Sequence, residues 1–328
     1  LFLNRYMVDF KSGEFKRQQT VFLHDPDKKV PFRIVHEGTK QRYLTGSDFD
    51  PEGFQIGGDT SWIGDEFGPY VLKADKTGKI LAVFDTMADG KPVRSPDHWS
   101  VQSPAAPGAT YTTVNLRRSK GYEGFAASKD GKFLYGLLEG PLWDAEKKDV
   151  EKVDGKEAAR ILEFDVAAEK FTGRFWTYVF EQNGNAIGDF NMIDGTSGLI
   201  IERDNGEGTA DKACPAGQRG ENCFDDLAKL KRVYKIELSD ANVGKPVRKI
   251  AYIDLMKIKD PDKKARKPLN DGVLTFPFFT IENVDRVDET HIIVGNDNNL
   301  PFSTSREPNK ADDNEFVLLE VAEFLKAK

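Results

Sequence analysis

The feature that most constrains this chain is a repeated unit of short strand-like segments separated by Gly/Asp turns. The first unit has four such segments, at residues 54–56, 61–64, 70–75 and 79–84. Similar units begin near residues 123, 188 and 280. Repeated four-stranded antiparallel units with almost no helical pattern are typical of a β-propeller. A β-sandwich is the alternative, but a sandwich does not require an internal repeat.

The repeat predicts an all-β chain in which residues 1–328 form a single β-propeller domain of five or six blades. Residues 5–23 resemble the two outer strands of a blade whose inner pair is absent, and the last copy shows only three strands. Propellers usually close by completing one blade with strands from both termini, so we expect a missing N-terminal segment. Helical patterns occur only at residues 225–231 and 320–328.

Charge and hydropathy exclude two large classes of function. The chain has 47 Lys and Arg against 54 Asp and Glu, a formal net charge of -7. This acidic balance argues against a general nucleic-acid binder. No apolar run approaches the roughly 20 residues that a membrane-spanning helix needs, and we therefore expect no membrane span.

The only two cysteines, Cys214 and Cys223, bound a loop that contains Pro and Gly. This spacing favours a disulfide that closes the loop, and two unpaired thiols are the alternative. A metal site at the cysteines is less favoured, because no further Cys or His lies nearby in the sequence.

Each repeat carries carboxylates or amides at corresponding places. The candidate metal ligands are Glu52, Asp65, Glu66, Glu123, Glu139, Glu202, Glu282, Asn296 and Asp297. In a propeller the inner strands end on one face, so the repeat would gather these groups in one funnel. Like charges at short range cost several kcal/mol, and a hard divalent cation would offset that cost.

Calcium is the favoured ion, because it takes 6–8 oxygen ligands from carboxylates, amides and water. Zinc is less favoured, since the four histidines show no ligand spacing. The alternative is that these acids cap turns and pair with arginines. Among other groups, His98 lies in a long loop and is a weak candidate base, and Ser47, Ser197 and Ser303 are candidate nucleophiles only as any exposed serine is.

Several short motifs resemble the phytase-like family known as "esterase-like activity of phytase". They are Asp50-Pro-Glu-Gly-Phe54, Trp62-Ile-Gly-Asp-Glu-Phe-Gly-Pro-Tyr70, Tyr122-Glu-Gly-Phe125, Leu138-Glu-Gly-Pro-Leu142, Ile201-Glu-Arg-Asp204, Ile281-Glu-Asn283 and Gly295-Asn-Asp-Asn298. The resemblance implies a propeller, a periplasmic or secreted location, and phosphoesterase-type chemistry carried by the repeated acids. The chain departs from the pattern at Asn283, which replaces a glycine, and in its N-terminal portion.

These observations together predict a calcium-dependent phosphoesterase acting on a small anionic phosphate ester. In this hypothesis Glu52, Glu123 and Glu282 are catalytic, and Arg203 is the cationic clamp on the developing charge. Two alternatives remain open. One is a calcium-dependent lactonase or carboxylesterase, and the other is a non-catalytic binding propeller that carries a structural ion. The latter would bind a protein partner through the long loops at residues 87–120 and 204–226.

Overall fold

The computed structural model describes residues 1–101, 114–218 and 220–328. The chain divides into two compact units. Unit 1 consists of residues 1–152 and 158–177, and unit 2 of residues 153–157 and 178–328. Part of the long loop predicted at residues 87–120 lies outside the described residues.

Unit 1 begins with a two-stranded antiparallel hairpin, which is followed by a four-stranded antiparallel sheet. The hairpin consists of β1 (Phe2–Asp9) and β2 (Glu14–Phe22). The sheet, in the order β3-β4-β5-β6, consists of β3 (Pro51–Gly57), β4 (Thr60–Asp65), β5 (Tyr70–Asp75) and β6 (Ile80–Asp85). A short hairpin of β7 (Met87–Ala88) and β8 (Lys91–Pro92) comes next.

The second large sheet has β10 and β14 at its centre. Its region of the chain contains β9 (Tyr122–Ala127), β10 (Phe133–Leu138), β11 (Trp143–Asp144), β12 (Asp149–Val150), β13 (Lys152–Val153), β14 (Lys156–Asp165) and β15 (Lys170–Val179). β9 pairs with β10, β10 with β14, and β14 also with β13 and β15. β11 and β12 form a separate small hairpin.

Unit 2 contains a four-stranded and a three-stranded antiparallel sheet. The first, in the order β16-β17-β18-β19, consists of β16 (Ala186–Met192), β17 (Ser197–Arg203), β18 (Lys231–Glu237) and β19 (Arg248–Asp254). The short strands β20 (Ile258–Lys259) and β21 (Val273–Leu274) pair with each other. The second sheet consists of β22 (Ile281–Arg286), β23 (His291–Asn296) and β24 (Phe316–Glu320). Helix α1 (Ala322–Lys326) follows, and two single-turn 3₁₀ helices lie at Ala210–Lys212 and Asp240–Asn242.

Each unit buries its own apolar core, because strand residues on one face of a sheet pack against the next layer. In unit 1, Trp62 and Phe84 stack with ring centroids 6.2 Å apart, and Phe164 packs 5.5 Å from Trp62. In unit 2 the buried cluster includes Phe276 and Phe278, whose centroids are 4.7 Å apart. These cores fix the strands whose ends carry the predicted site residues.

The prediction of an all-β fold built from β-propeller blades is confirmed. The described residues contain four sheets of three or more strands, so the predicted count of five or six blades is wrong. The count was too high because residues 5–23 form only the hairpin β1–β2. A helix forms within residues 320–328, but residues 225–231 form none.

The predicted disulfide between Cys214 and Cys223 is present. The loop that it closes and the residues just before it are held to the rest of unit 2 by polar contacts. Lys212 Nζ donates to the carbonyl of Arg306 at 2.8 Å, and Asn309 Nδ2 donates to Asn222 Oδ1 at 2.8 Å.

Within unit 2, the carboxylate of Asp189 joins β16 to β22. Asp189 Oδ2 accepts hydrogen bonds from Val284 N at 2.8 Å and Asn191 Nδ2 at 3.2 Å. Oδ1 accepts one from Phe190 N at 2.7 Å. Burial raises the pKa of Asp189 to about 7, although these hydrogen bonds oppose the shift.

This raised pKa predicts how stability depends on pH. The folded protein keeps the proton of Asp189 up to about pH 7, whereas the unfolded chain releases it near pH ~4. The contribution of Asp189 to the free energy of unfolding is therefore complete below pH ~4 and is lost as pH rises to about 7. Urea unfolding from pH 4.5 to 8 should show this decline in the wild type and a shallower one in Asp189→Asn. Asp59→Asn, which changes an exposed turn, is the control. Parallel curves for wild type and Asp189→Asn would contradict the assignment.

Candidate functional site

Three buried glutamates of unit 1 lie together where strands begin or end. Glu66 directly follows β4, Glu123 is the second residue of β9, and Glu139 directly follows β10. One carboxylate oxygen of each lies within 4.8 Å of the others, and the residues are only 8%, 5% and 3% exposed. We call these three residues the acidic cluster. The structure thus brings together three of the predicted metal ligands.

Gly121 determines how closely the strand ends of the acidic cluster approach one another. A Cβ added at Gly121 would lie 2.3 Å from the carbonyl oxygen of Glu66 and 2.6 Å from its Cα. The carbonyl of Gly121 also accepts a hydrogen bond of 2.7 Å from the amide of Glu139. A single glycine therefore packs against the backbone of one glutamate and fixes the backbone of another.

Charge in the acidic cluster is offset in part by Lys120, whose Nζ contacts Glu139 Oε2. Three carboxylates within this distance repel one another, and burial strengthens the repulsion because the local dielectric is low. Lys120 therefore compensates part of the negative charge that these three carboxylates can carry.

Glu52, the second residue of β3, extends the acidic cluster toward solvent. One of its carboxylate oxygens lies within 4.8 Å of one on Glu123, and Glu52 is exposed. Because Glu52 is exposed, its carboxylate can exchange protons with water more readily than the buried carboxylates beside it can.

Asp65, another predicted ligand, has a different environment. It is fully buried, and its oxygens accept hydrogen bonds of 2.8 Å each from the amides of Asp50 and Gly68. Burial raises the pKa of Asp65 to about 7. Asp65 therefore orders the turn that carries Glu66, and its role as a ligand stays a prediction.

In unit 2, Glu202 is fully buried and its carboxylate is well supplied with donors. Glu202 accepts hydrogen bonds of 2.7 Å from the Tyr178 hydroxyl, the Asn185 side-chain amide and the Glu181 backbone amide. Lys249 Nζ lies 3.1 Å from Oε2. This network compensates the buried charge from within the protein.

Two of the predicted catalytic residues, Arg203 and Glu282, meet in unit 2. Arg203 Nη2 lies 3.9 Å from Glu282 Oε1, and Nη1 donates to Asn205 Oδ1 at 3.0 Å. The guanidinium also stacks over the ring of Phe279, 5.1 Å from its centroid. Arg203 is thus held in place beside the carboxylate of Glu282.

Asn296 and Asp297 hold a loop through backbone contacts. The side chain of Asn296 accepts from Glu315 N at 2.7 Å and donates to Asp313 O at 3.1 Å. The carbonyl of Asp297 accepts from the Thr280 hydroxyl at 2.8 Å. Their predicted roles as ligands stay predictions.

Sequence reasoning missed Lys120 and Gly121, although both immediately precede the Tyr122-Glu123 pair. The sequence places a lysine and a glycine directly before the strand segment that carries the candidate ligand Glu123. Their importance was missed because it depends on contacts with Glu66 and Glu139, which are distant in the sequence.

The contact of Gly121 predicts a large cost for a single added methyl group. In Gly121→Ala the new Cβ meets backbone atoms of Glu66, which cannot rotate away as a side chain can. We expect a loss of about 1–3 kcal/mol in the free energy of unfolding, the usual cost of overpacking, measured by urea denaturation. Gly46→Ala is the matched control, because nothing lies within 4 Å of an added Cβ there. Equal stability of the two variants would contradict the packing constraint.

A segment of the chain is similar to a secreted fungal protein. The match is 29% identical over 133 residues to an uncharacterized secreted protein of Arthroderma benhamiae. It covers 36% of this chain and 24% of the relative, so the similarity spans about a quarter of that protein's length. The secreted relative and the disulfide both fit an extracellular location.

Solved structures with a detectable likeness are distant. The β-propeller domain of Cps50 (Swd1) from Myceliophteria thermophila has a TM-score of 0.29 at 10% identity and covers 76% of this chain and 63% of that chain. The GH43 endo-arabinanase of Bacillus licheniformis has a TM-score of 0.28 at 10% identity and covers 83% of this chain and 94% of that chain.

Among the described residues, no helix is long and apolar enough to cross a membrane.

A comparison with protein families gives a match over most of the chain. A family model described as "Phytase-like: Esterase-like activity of phytase" matches residues 2–300. The chain, which has 328 residues, therefore belongs to the phytase-like family.

Proposed function

We propose that this chain is a calcium-dependent phosphoesterase that hydrolyses small phosphate esters at the acidic cluster. Membership of the phytase-like family suggests a phosphoesterase-type propeller. The observation that carries the proposal is the meeting of three buried carboxylate oxygens, from Glu66, Glu123 and Glu139, within 4.8 Å of one another.

The donor set of the acidic cluster fits calcium. Calcium binds oxygen ligands at about 2.3–2.6 Å, so two oxygens on one ion lie at most about 5 Å apart. The 4.8 Å separation limit is within this distance. All three donors are carboxylates, the hard ligands that calcium prefers to the imidazole and thiolate of zinc sites. In this proposal Glu66, Glu123 and Glu139 hold the ion.

Bound calcium would supply charge that attracts a phosphate group and polarises it toward attack by water. The protein's own groups have separate tasks. Glu52, exposed beside Glu123, accepts the proton of the attacking water. Lys120 contacts Glu139 and lowers the negative charge of the acidic cluster. The catalytic roles of Arg203 and Glu282 stay predictions.

The proposal includes a periplasmic or secreted location, as the disulfide favours oxidising surroundings. Its alternatives are a calcium-dependent lactonase or carboxylesterase, and a non-catalytic binding propeller with a structural ion. Calcium-dependent turnover of a lactone or a carboxylic ester would support the first alternative. Bound calcium without any turnover would support the second.

The test replaces Glu123 by Gln, which keeps the shape and removes the charge. We expect the wild type to bind calcium by elemental analysis, to melt at a higher temperature in calcium than in EDTA, and to hydrolyse phosphomonoesters or phosphodiesters only with calcium. Glu123→Gln should lose the calcium-dependent rise in melting temperature and at least about 100-fold in turnover, the lower end for general acid–base and charge effects.

Glu146→Gln, which removes an exposed carboxylate of unit 1, is the matched control and should behave as the wild type does. Turnover of phosphate esters that persists in excess EDTA would overturn the calcium dependence. A calcium response that is unchanged in Glu123→Gln would place the ion elsewhere.

A further inference from the structure

Apart from the acidic cluster, unit 1 contains a hydrogen-bonded chain of Asp85, His98 and Ser100. Ser100 Oγ lies 2.8 Å from His98 Nδ1, and His98 Nε2 lies 3.4 Å from Asp85 Oδ1. The imidazole of His98 is 1% exposed, whereas the Asp85 side chain is 42% exposed and Ser100 is half-buried. A hydroxyl, an imidazole and a carboxylate in this order form the arrangement that activates a serine nucleophile.

The fold holds the imidazole of His98 in a fixed orientation. Its ring packs between Tyr70, with centroids 5.1 Å apart, and Trp99, stacked at 6.2 Å. The amide of His98 donates to the carbonyl of Ser95, and the amide of Ser95 donates to the carbonyl of Gly68. Asp85 is the last residue of β6, so the carboxylate is carried by a strand of the sheet.

The partners of His98 determine which nitrogen carries the proton. Asp85 accepts from Nε2–H, which leaves the lone pair of Nδ1 facing the Ser100 hydroxyl and the Ser100 amide, 3.1 Å away. The hydrogen bond from His98 lowers the pKa of Asp85, so the carboxylate is ionised at neutral pH. Nδ1 is therefore the basic nitrogen. The contact of 3.4 Å between His98 Nε2 and Asp85 Oδ1 is long, and hydrogen bonds between catalytic groups are often long in the absence of substrate.

A cavity of about 430 Å³ reaches this chain of hydrogen bonds at Asp85. Its walls combine aromatic residues with charged ones: Phe84, Phe164, Phe171 and Trp99, and Asp85, Glu169 and Lys170. Trp99 stands between His98 and Ser100 in the sequence and is 51% exposed. The aromatic part of this wall suits a small apolar group, and the acyl chain of a carboxylic ester has that chemistry.

We propose that Ser100, His98 and Asp85 hydrolyse carboxylic esters whose short apolar acyl group occupies this cavity. Ser100 Oγ attacks the ester carbonyl carbon while its proton passes to His98 Nδ1. The bond from carbonyl carbon to alcohol oxygen breaks, and the alcohol leaves with that proton. Water then attacks the acyl-serine, again giving its proton to His98, and the carboxylic acid leaves as Ser100 regains its hydrogen. No oxidant, metal or second substrate other than water is needed.

This activity is independent of the acidic cluster and of the proposed phosphoesterase function. The hydrogen-bonded chain contains no member of the acidic cluster, and its base is a histidine instead of a carboxylate. Its chemistry therefore persists in a chelator, unlike that of the calcium-dependent phosphoesterase or of the calcium-dependent lactonase or carboxylesterase.

The experiment measures hydrolysis of p-nitrophenyl butyrate in excess EDTA and labelling by a fluorophosphonate probe, with the labelled residue identified by mass spectrometry. The wild type should turn over the ester and carry the probe on Ser100. Ser100→Ala should lose the probe and about 10²–10⁴-fold in turnover, and His98→Gln should lose comparable turnover while it keeps the fold by circular dichroism. Ser12→Ala, at an exposed serine in the turn between β1 and β2, is the control and should match the wild type.

The cavity is tested by Trp99→Ala, which should raise KM for the butyrate ester more than it lowers kcat. Trp143→Ala removes another partly exposed tryptophan of unit 1 and should leave both constants unchanged. Absence of EDTA-resistant turnover and of labelling in the wild type would overturn the proposal. So would turnover or labelling that survives in Ser100→Ala.

Discussion

The acidic cluster depends on one close backbone contact, the approach of Gly121 to Glu66. Any Cβ at this position would overlap the carbonyl oxygen of Glu66 at 2.3 Å, so the strand end that carries Glu123 could not come as near. The carbonyl of the same glycine fixes the amide of Glu139 at 2.7 Å. A steric condition on one residue thus allows three carboxylates to come together. Lys120, the preceding residue in the chain, contacts Glu139 and compensates part of their charge.

Glutamates that look equivalent in the sequence have different electrostatic environments. A carboxylate oxygen of Glu123 lies within 4.8 Å of oxygens on Glu66 and Glu139, whereas Glu202 accepts a hydrogen bond of 2.7 Å from the Tyr178 hydroxyl and lies 3.1 Å from Lys249 Nζ. Hydrogen bonds and an ion pair compensate the buried charge of Glu202 from within the protein. The same repeated position in the sequence is therefore compatible with a group of carboxylates and with a hydrogen-bonded network.

The two sites proposed in unit 1 differ in the chemical groups that they bring together. In the proposed function the acidic cluster offers carboxylate oxygens, which suit a divalent cation and an anionic substrate. The chain from Asp85 to Ser100 through His98 offers a carboxylate, an imidazole and a hydroxyl beside a partly aromatic cavity, which suit an uncharged ester. The phosphoesterase and esterase proposals therefore differ in the residues that they use and in their need for a cation.

Local sequence pattern was enough to predict the all-β fold class, because alternating apolar residues and Gly/Asp turns act within a few residues of each other. The same kind of pattern predicted the disulfide and the acids at the ends of strands. The remaining features depend on contacts between distant parts of the chain. The hairpin β1–β2 did not add a blade, since the number of strands in a sheet depends on distant partners. The grouping of Glu66, Glu123 and Glu139 and the network around Glu202 depend on donors and backbones far along the chain. Ser100 became significant only through Asp85, because hydrogen-bond distances between loops and strands are set by packing and not by local pattern.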